Sequence, residues 1–294
     1  MTADSRVDVF ERMRSLDETV ARLAACAAGE TPFQLLSGGT DLVVESHLAP
    51  PSSTVRPKRV LLDISSVPEL SQIEDRGDML RLGGGVTYLA LRRDPVASRV
   101  PLLAAMAKDV GAIQIQARGT LAGNIATASP AADGVCGLFA LDAVIGLRSA
   151  KGERTIPLVD LYEGYKKSKR RPDELIAWVD VRVPSPTAKW VWRKVGTRLA
   201  QAISKVALSA VVEIDDGKIS RARFGMASVA PTTSALPSVR ALLEGNAPGW
   251  IDLAAVERAV DADISPIDDV RSTSAYRRHV AKAITREFVR ALSG

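Results

Sequence analysis

Cysteine and histidine are nearly missing from this chain of 294 residues, which has two of each. Cys26 and Cys136 are too few to build an iron–sulfur or thiolate zinc site, and one pair makes no disulfide framework. Any metal chemistry is therefore expected in another chain. His47 precedes a polar linker and His279 follows Arg277 and Arg278, which leaves histidine acid–base chemistry little material. Long apolar runs are also missing: nothing approaches the ~18 consecutive apolar residues that span a bilayer. The opening Met1-Thr2-Ala3-Asp4-Ser5-Arg6 leads into polar residues without a signal-peptide core, so the expected location is the cytoplasm. Neither sign of charge dominates, with 39 basic and 34 acidic residues spread along the chain. A net charge of +5 without a basic arm gives no nucleic-acid footprint. The longest basic run, Lys166-Lys167-Ser168-Lys169-Arg170-Arg171, reads as a solvated loop in preference to a dock for an anionic partner.

What the chain does have is core: 46% of its residues are hydrophobic, enough for two or three subdomains. Ser15-Leu16-Asp17-Glu18 has capping-box spacing, and Val20, Leu23, Ala24 and Ala27 continue at helical period up to Gly29. Phe33-Gln34-Leu35-Leu36 then reads as a strand, broken by Ser37-Gly38-Gly39 before a helix beginning near Asp41. The run Ala49 to Pro57, rich in proline and serine, marks a first boundary. A second unit is expected to open with the strand Val60 to Ile64, continue through Met79 to Leu82 into Gly83-Gly84-Gly85, and end near Pro184-Ser185-Pro186. Beyond it, Val206 to Ile214 and Ile219 to Met226 flank Asp215-Asp216-Gly217-Lys218, a hairpin signature, and helical patterns run to the C-terminus.

Two glycine turns about 80 residues apart carry the chemistry: Leu35-Leu36-Ser37-Gly38-Gly39-Thr40-Asp41-Leu42 and Gly119-Thr120-Leu121-Ala122-Gly123-Asn124. Glycine permits positive φ and close approach to a ligand, and successive amides facing one concavity attract phosphate oxygens. A diphosphate could be cradled between the two turns. Each turn alone is equally consistent with an ordinary tight turn before a helix, and neither has the spacing of the Rossmann fingerprint or the P-loop.

The longer run Gly119 to Asp133, ending Ile125-Ala126-Thr127-Ala128-Ser129-Pro130-Ala131-Ala132-Asp133, resembles the second flavin loop of the xanthine dehydrogenase and carbon monoxide dehydrogenase flavoproteins. Leu35 to Leu42 resembles the first flavin loop of that family. Gly164-Tyr165-Lys166 and Arg171-Pro172-Asp173-Glu174-Leu175-Ile176 resemble the segment that closes its FAD domain. Trp192-Arg193-Lys194-Val195-Gly196-Thr197-Arg198 resembles the start of its C-terminal domain. The resemblance implies an α+β protein: a two-subdomain α/β FAD-binding domain of the PCMH type over 1–57 and 58–185, then a CO dehydrogenase flavoprotein-like α+β domain over 186–294.

Residue roles follow from the same resemblance. Leu35 to Leu42 and Thr120 to Asn124 would enclose the FAD diphosphate and adjoining sugar chain through amides and the hydroxyls of Thr40 and Thr120. Asp133 would bond cofactor hydroxyls, with helix capping as its alternative role. Val110, Ile176 and Lys194 would contact the cofactor, and Lys194 near the isoalloxazine would favour the anionic reduced flavin. Three departures stand out. Ala122 replaces a glycine, so its φ should be negative and its methyl must fit beside the phosphates. Val110 takes a position where relatives can place an aromatic ring. Two residues between Trp178 and Val181 look inserted.

The implied function is an FAD-binding subunit with no catalytic side chain and no metal of its own, in a heteromeric molybdenum hydroxylase. Its implied partners are a molybdopterin-binding large subunit and a small subunit with two [2Fe-2S] clusters, assembled as a dimer of heterotrimers. The implied substrate is a purine or another N-heterocycle, and the acceptor stays open among NAD, oxygen, a quinone and a carrier protein. Two other readings are a flavin-free bridging subunit and a stand-alone oxidase of the vanillyl-alcohol type.

Overall fold

The computed structural model describes residues 9–48 and 60–293. The N-terminal hexapeptide and the linker from Ala49 to Pro57 lie outside the described residues. The chain begins with β1 (Val9–Arg12), α1 (Leu16–Ala28), β2 (Phe33–Leu36), α2 (Thr40–Leu48) and β3 (Val60–Asp63). Ser15 caps α1 by accepting the Glu18 amide at 3.1 Å, and Gly29 closes the helix as expected. The buried face of α1, formed by Leu16, Val20 and Leu23, packs on Leu62 and Ile64.

One strand falls elsewhere than expected. Val60 to Asp63 does not open the second unit but forms the centre of the first sheet, order β1-β3-β2, parallel to both neighbours. Val60 and Leu62 are buried on one face, and Leu61 is half-buried and Asp63 buried on the other, as suits a central parallel strand.

The middle of the chain holds β4 (Ile73–Asp75), β5 (Met79–Gly83), α3 (Tyr88–Leu91), α4 (Val96–Arg99), α5 (Pro101–Lys108), α6 (Ile113–Arg118), α7 (Leu121–Thr127) and α8 (Asp133–Phe139). After these come β6 (Val144–Ser149), β7 (Gly152–Pro157), α9 (Leu158–Leu161), β8 (Tyr162–Gly164), β9 (Lys167–Ser168) and β10 (Leu175–Arg182). An antiparallel sheet of order β4-β5-β10-β6-β7 packs against the helices through the largest core, which includes Leu80, Leu103, Ile125 and Val179. Val179 and Asp180, the two residues that look inserted, stay in register with both β5 and β6. The irregularity lies at Ala177, between the pairs Ile176↔Leu147 and Trp178↔Gly146. Its cause is bulk: a Cβ on Gly146 would lie 2.0 Å from the Trp178 ring, so the strand can pass the indole only at a glycine.

The remainder forms β11 (Lys189–Val195), β12 (Val206–Asp215), β13 (Lys218–Ala227), α10 (Pro237–Leu243), α11 (Leu253–Asp263) and α12 (Ser274–Ala291). The β12–β13 hairpin turns through Asp216 (φ 49°) and Gly217 (φ 73°), as the Asp-Gly pair demands. One face of this three-stranded sheet packs on α12, joining Leu208, Val212 and Phe224 to Ile284 and Phe288. Its other face receives α8. There the backbones nearly touch: a Cβ on Gly225 would sit 2.1 Å from the Cys136 carbonyl oxygen. Cys136 Sγ in turn donates to the Gly225 carbonyl at 3.1 Å, and burial pushes its thiol pKa up, so this cysteine is a packing residue.

Gly225→Ala should therefore wedge the C-terminal sheet off α8 and destabilise the protein by about 1–3 kcal/mol, the usual cost of overpacking. Gly249→Ala should be neutral, since nothing lies within 4 Å of its added Cβ. Thermal unfolding of both variants checks this, and equal midpoints would contradict it.

Candidate functional site

The two glycine turns meet. The first leaves β2 at Leu36, whose carbonyl accepts the Ile64 amide at 2.8 Å, and enters α2 through Gly39 at φ 76°. Gly38 lies directly against the second turn: an added Cβ would fall 1.9 Å from the Arg118 carbonyl oxygen and 3.1 Å from Gly119 Cα. Thr127 Oγ1, at the end of α7, is 2.8 Å from Asp41 Oδ2 and 2.9 Å from the Gly123 carbonyl, and its one proton serves either acceptor. Backbone contact and a side-chain hydrogen bond thus join segments that are far apart in sequence.

The two turns use their amides differently. In the second, Leu121 donates to the Val86 carbonyl and Ala122 to the Gly84 carbonyl, each at 3.0 Å. Gly123 donates to Thr120 Oγ1 at 3.1 Å, which makes Thr120 the N-cap of α7. This turn is tied inward to Gly83-Gly84-Gly85. In the first turn, the amides of Gly38, Gly39, Thr40, Asp41 and Leu42 find no protein acceptor among the described residues. They are the orphan donors of a helix start, preceded by a positive-φ glycine, an arrangement that binds anions.

Behind the turns lies a buried polar group spanning two domains. Pro130 to Ala132 lead into α8, whose first residue is Asp133. Lys194 and Trp192, two apart on β11, point the same way. Lys194 Nζ lies 2.6 Å from Asp133 Oδ2 and 2.8 Å from the Asp109 carbonyl oxygen. Ser204 donates to Asp133 Oδ1 at 2.6 Å, and Trp192 Nε1 donates to Asp109 Oδ2 at 2.8 Å. The Lys194 and Asp133 side chains are only 9% and 10% exposed. Burial pushes the Asp133 carboxyl above its ordinary value, and Lys194 and Ser204 pull against that shift. Close by, the buried Tyr88 hydroxyl has no hydrogen-bond partner among the described residues.

A sequence profile described as the FAD-binding domain in molybdopterin dehydrogenase matches residues 6–186, and one described as the CO dehydrogenase flavoprotein C-terminal domain matches 192–292. The chain belongs to the molybdopterin dehydrogenase FAD-binding family. Among its relatives, the nicotine 6-hydroxylase medium subunit of Paenarthrobacter nicotinovorans is 28% identical, over 87% of this chain and 88% of that one. The caffeine dehydrogenase subunit beta of a Pseudomonas species is 29% identical, over 94% and 91%. A solved chain of carbon monoxide dehydrogenase from Hydrogenophaga pseudoflava superposes with a TM-score of 0.87 at 25% identity, covering 96% of this chain and 95% of that one.

The residues expected to contact the cofactor have protein partners of their own in the structure. The Ala122 φ is negative, as its methyl requires, but the methyl is buried toward Gly84 and its amide is already taken. Ile176 is buried in the main core beside Gly84, and Val110 packs partly on the same core. Asp133 is not a helix cap: Ala132 takes that position. Lys194 is not a lone cation, because Asp133 counters its charge. Of the basic run, Arg170 turns inward to the Glu174 carbonyl at 2.7 Å, while Lys166, Lys167 and Lys169 are exposed. Ser204, Asp109 and Trp192 had no sequence signal of their own beyond lying in or near the quoted runs. Among the described residues no acid, cysteine or histidine cluster could hold a metal, and no helix is long and apolar enough to cross a membrane.

Asp133→Ala should destabilise the flavin-free protein by about 3–5 kcal/mol, because it strands a buried ammonium. Adding Lys194→Met should restore most of that loss. Denaturant unfolding of both single variants and the double variant measures the coupling, and a double variant no better than Asp133→Ala would contradict the ion pair.

Proposed function

We propose that this flavoprotein holds FAD by its diphosphate on the free amides of Gly38 to Leu42, with the second turn as a rigid strut behind them. The observation that carries this reading is the contrast in amide use: five unpaired donors on one turn, and inward-bonded donors on the other. Three features suit a flavin dinucleotide: an anion-binding run of amides, a contact between the two turns that leaves no room for a Cβ at Gly38, and a buried hydroxyl at Tyr88 unpaired among the described residues. When bound, FAD would supply the redox chemistry, and this chain's residues would bind and orient it. Leu35, Leu36 and Ser37 set the turn in place, Thr40 adds a hydroxyl, and Asp41 fixes the turn to Thr127. Thr120 acts by capping α7, and Asn124 by accepting the Val135 amide at 3.1 Å. In this reading Val110, Leu121, Ala122, Gly123 and Ile176 shape the wall of the site, and Lys194 presents a countered charge.

In the complex, the chain would pass electrons from [2Fe-2S] clusters of a small subunit to an outside acceptor, in the cytoplasm. A large subunit would carry molybdopterin, and the whole would form a dimer of heterotrimers. Relatives named as medium subunits support partners of both kinds, and those named for nicotine and caffeine favour an N-heterocyclic substrate. A flavin-free bridging subunit would leave the Gly38 to Leu42 amides without purpose, and the stand-alone oxidase reading has no support among the relatives.

Acid should release one FAD per chain from the purified complex. FMN, or flavin retained on the precipitate, would contradict the reading. Gly38→Ala should weaken FAD retention at least about tenfold, equivalent to ~1.4 kcal/mol, by forcing the turns apart. Substrate should still bleach the iron–sulfur centres of that variant while acceptor turnover falls. Slowed bleaching at full flavin content would place Gly38 elsewhere in the electron path.

A further inference from the structure

Tyr88 stands directly behind the second glycine turn. Its amide donates to the Gly119 carbonyl at 3.2 Å, and its ring lies along Gly119, where an added Cβ would be 3.4 Å from Cδ2. The phenol oxygen packs against the start of α8 at Gly134, beside Asn124 of α7. A Cβ on Gly134 would sit 2.5 Å from the Tyr88 oxygen and 2.6 Å from Asn124 Oδ1, so two polar atoms share a space that only glycine leaves open. The residue is 2% exposed, and its hydroxyl has no partner among the described residues. An unmet buried hydroxyl is costly, and a ligand atom placed beside it would relieve that cost.

The neighbouring groups define that atom's chemistry. Asn124 Oδ1 already accepts the Val135 amide but keeps a second lone pair. Asp133, adjacent to Gly134, has one bond on each carboxylate oxygen, to Lys194 and to Ser204, so acceptor positions remain on both. Burial, followed by the charges of Asp133 and Asp41, pushes the phenol pKa well up, so Tyr88 keeps its proton and can donate. A donor and an amide oxygen beside Gly134, with the Asp133 carboxylate near enough to act on the phenol by its charge, match a polyol, whose hydroxyls both donate and accept. A phosphate offers only acceptors and would be repelled by Asp133.

We infer that Tyr88 is a further cofactor-binding residue, its hydroxyl donating to the polyol chain of the flavin between Asn124 and Asp133. This rests on the FAD reading above. No role for Tyr88 was visible in the sequence.

Tyr88→Phe in the full complex tests it, because removing one oxygen should move two measurements in opposite directions. FAD affinity should fall about five- to a hundred-fold, the range for one lost hydrogen bond to a buried group. The flavin-free complex should melt at the same or a higher temperature, since the unmet hydroxyl is gone. Gly134→Ala, which displaces the Tyr88 oxygen and Asn124 Oδ1, should weaken FAD as well. Unchanged FAD affinity in Tyr88→Phe would overturn the inference, assigning the hydroxyl to solvent. Weakened FAD together with a lower flavin-free melting temperature would also overturn it, as a packing role. Wild-type complex measured alongside separates the two levels: failure of the wild type to bind FAD would sink the functional reading itself.

Discussion

A Cα can lie as close to a peptide carbonyl as Gly38 lies to Arg118 only when it carries no side chain, since a Cβ there would overlap the carbonyl oxygen at 1.9 Å. The rest of the site depends on that contact. It brings the end of β2, in the parallel sheet, against the end of α6, in the helical layer over the antiparallel sheet. The orphan amides at the start of α2 are thereby aimed from a rigid base. The second turn can be rigid because its own amides bond back to Gly84 and Val86. Stiffness on one side and open valence on the other is the division of labour expected of a preorganised anion cradle.

The buried pair of Asp133 and Lys194 extends this frame into the C-terminal domain. Lys194 lies on β11, Asp133 on α8, and Asp109 at the end of α5, so three elements converge on one ammonium. Such pairs contribute little net stability, but removing one partner is severe. The pair therefore acts as a register device, fixing how the C-terminal sheet sits on α8, together with the Gly225 to Cys136 contact. The pair also limits the field around it: a cation and an anion 2.6 Å apart act at a distance more weakly than a bare lysine would.

Features encoded within a few residues were legible in the sequence. The Ser15 cap, the Gly29 stop and the Asp216-Gly217 hairpin are local chemistry, and each was found where its residues demand. The glycine turns were legible as candidate anion sites for the same reason. Contacts between distant segments were not. Val60 to Asp63 has the composition of any buried strand, and only pairing with β1 and β2 reveals its sheet. Asp133 and Lys194 are 61 residues apart, so neither one announces the other. The direction of an amide is likewise set by which carbonyl comes near it. Thr120 to Asn124 therefore read like a ligand loop, although its first amides bond inward. Tyr88 is the extreme case, because its meaning lies wholly in what surrounds its hydroxyl.

The division of labour between the two turns can be measured by peptide-resolved amide hydrogen exchange of the complex with and without FAD. The account predicts that Gly38 to Leu42 exchange rapidly in flavin-free protein and become strongly protected on FAD binding, while Leu121 to Gly123 are protected in both. Protection appearing on Leu121 to Gly123 only when FAD is added, with Gly38 to Leu42 unchanged, would contradict it.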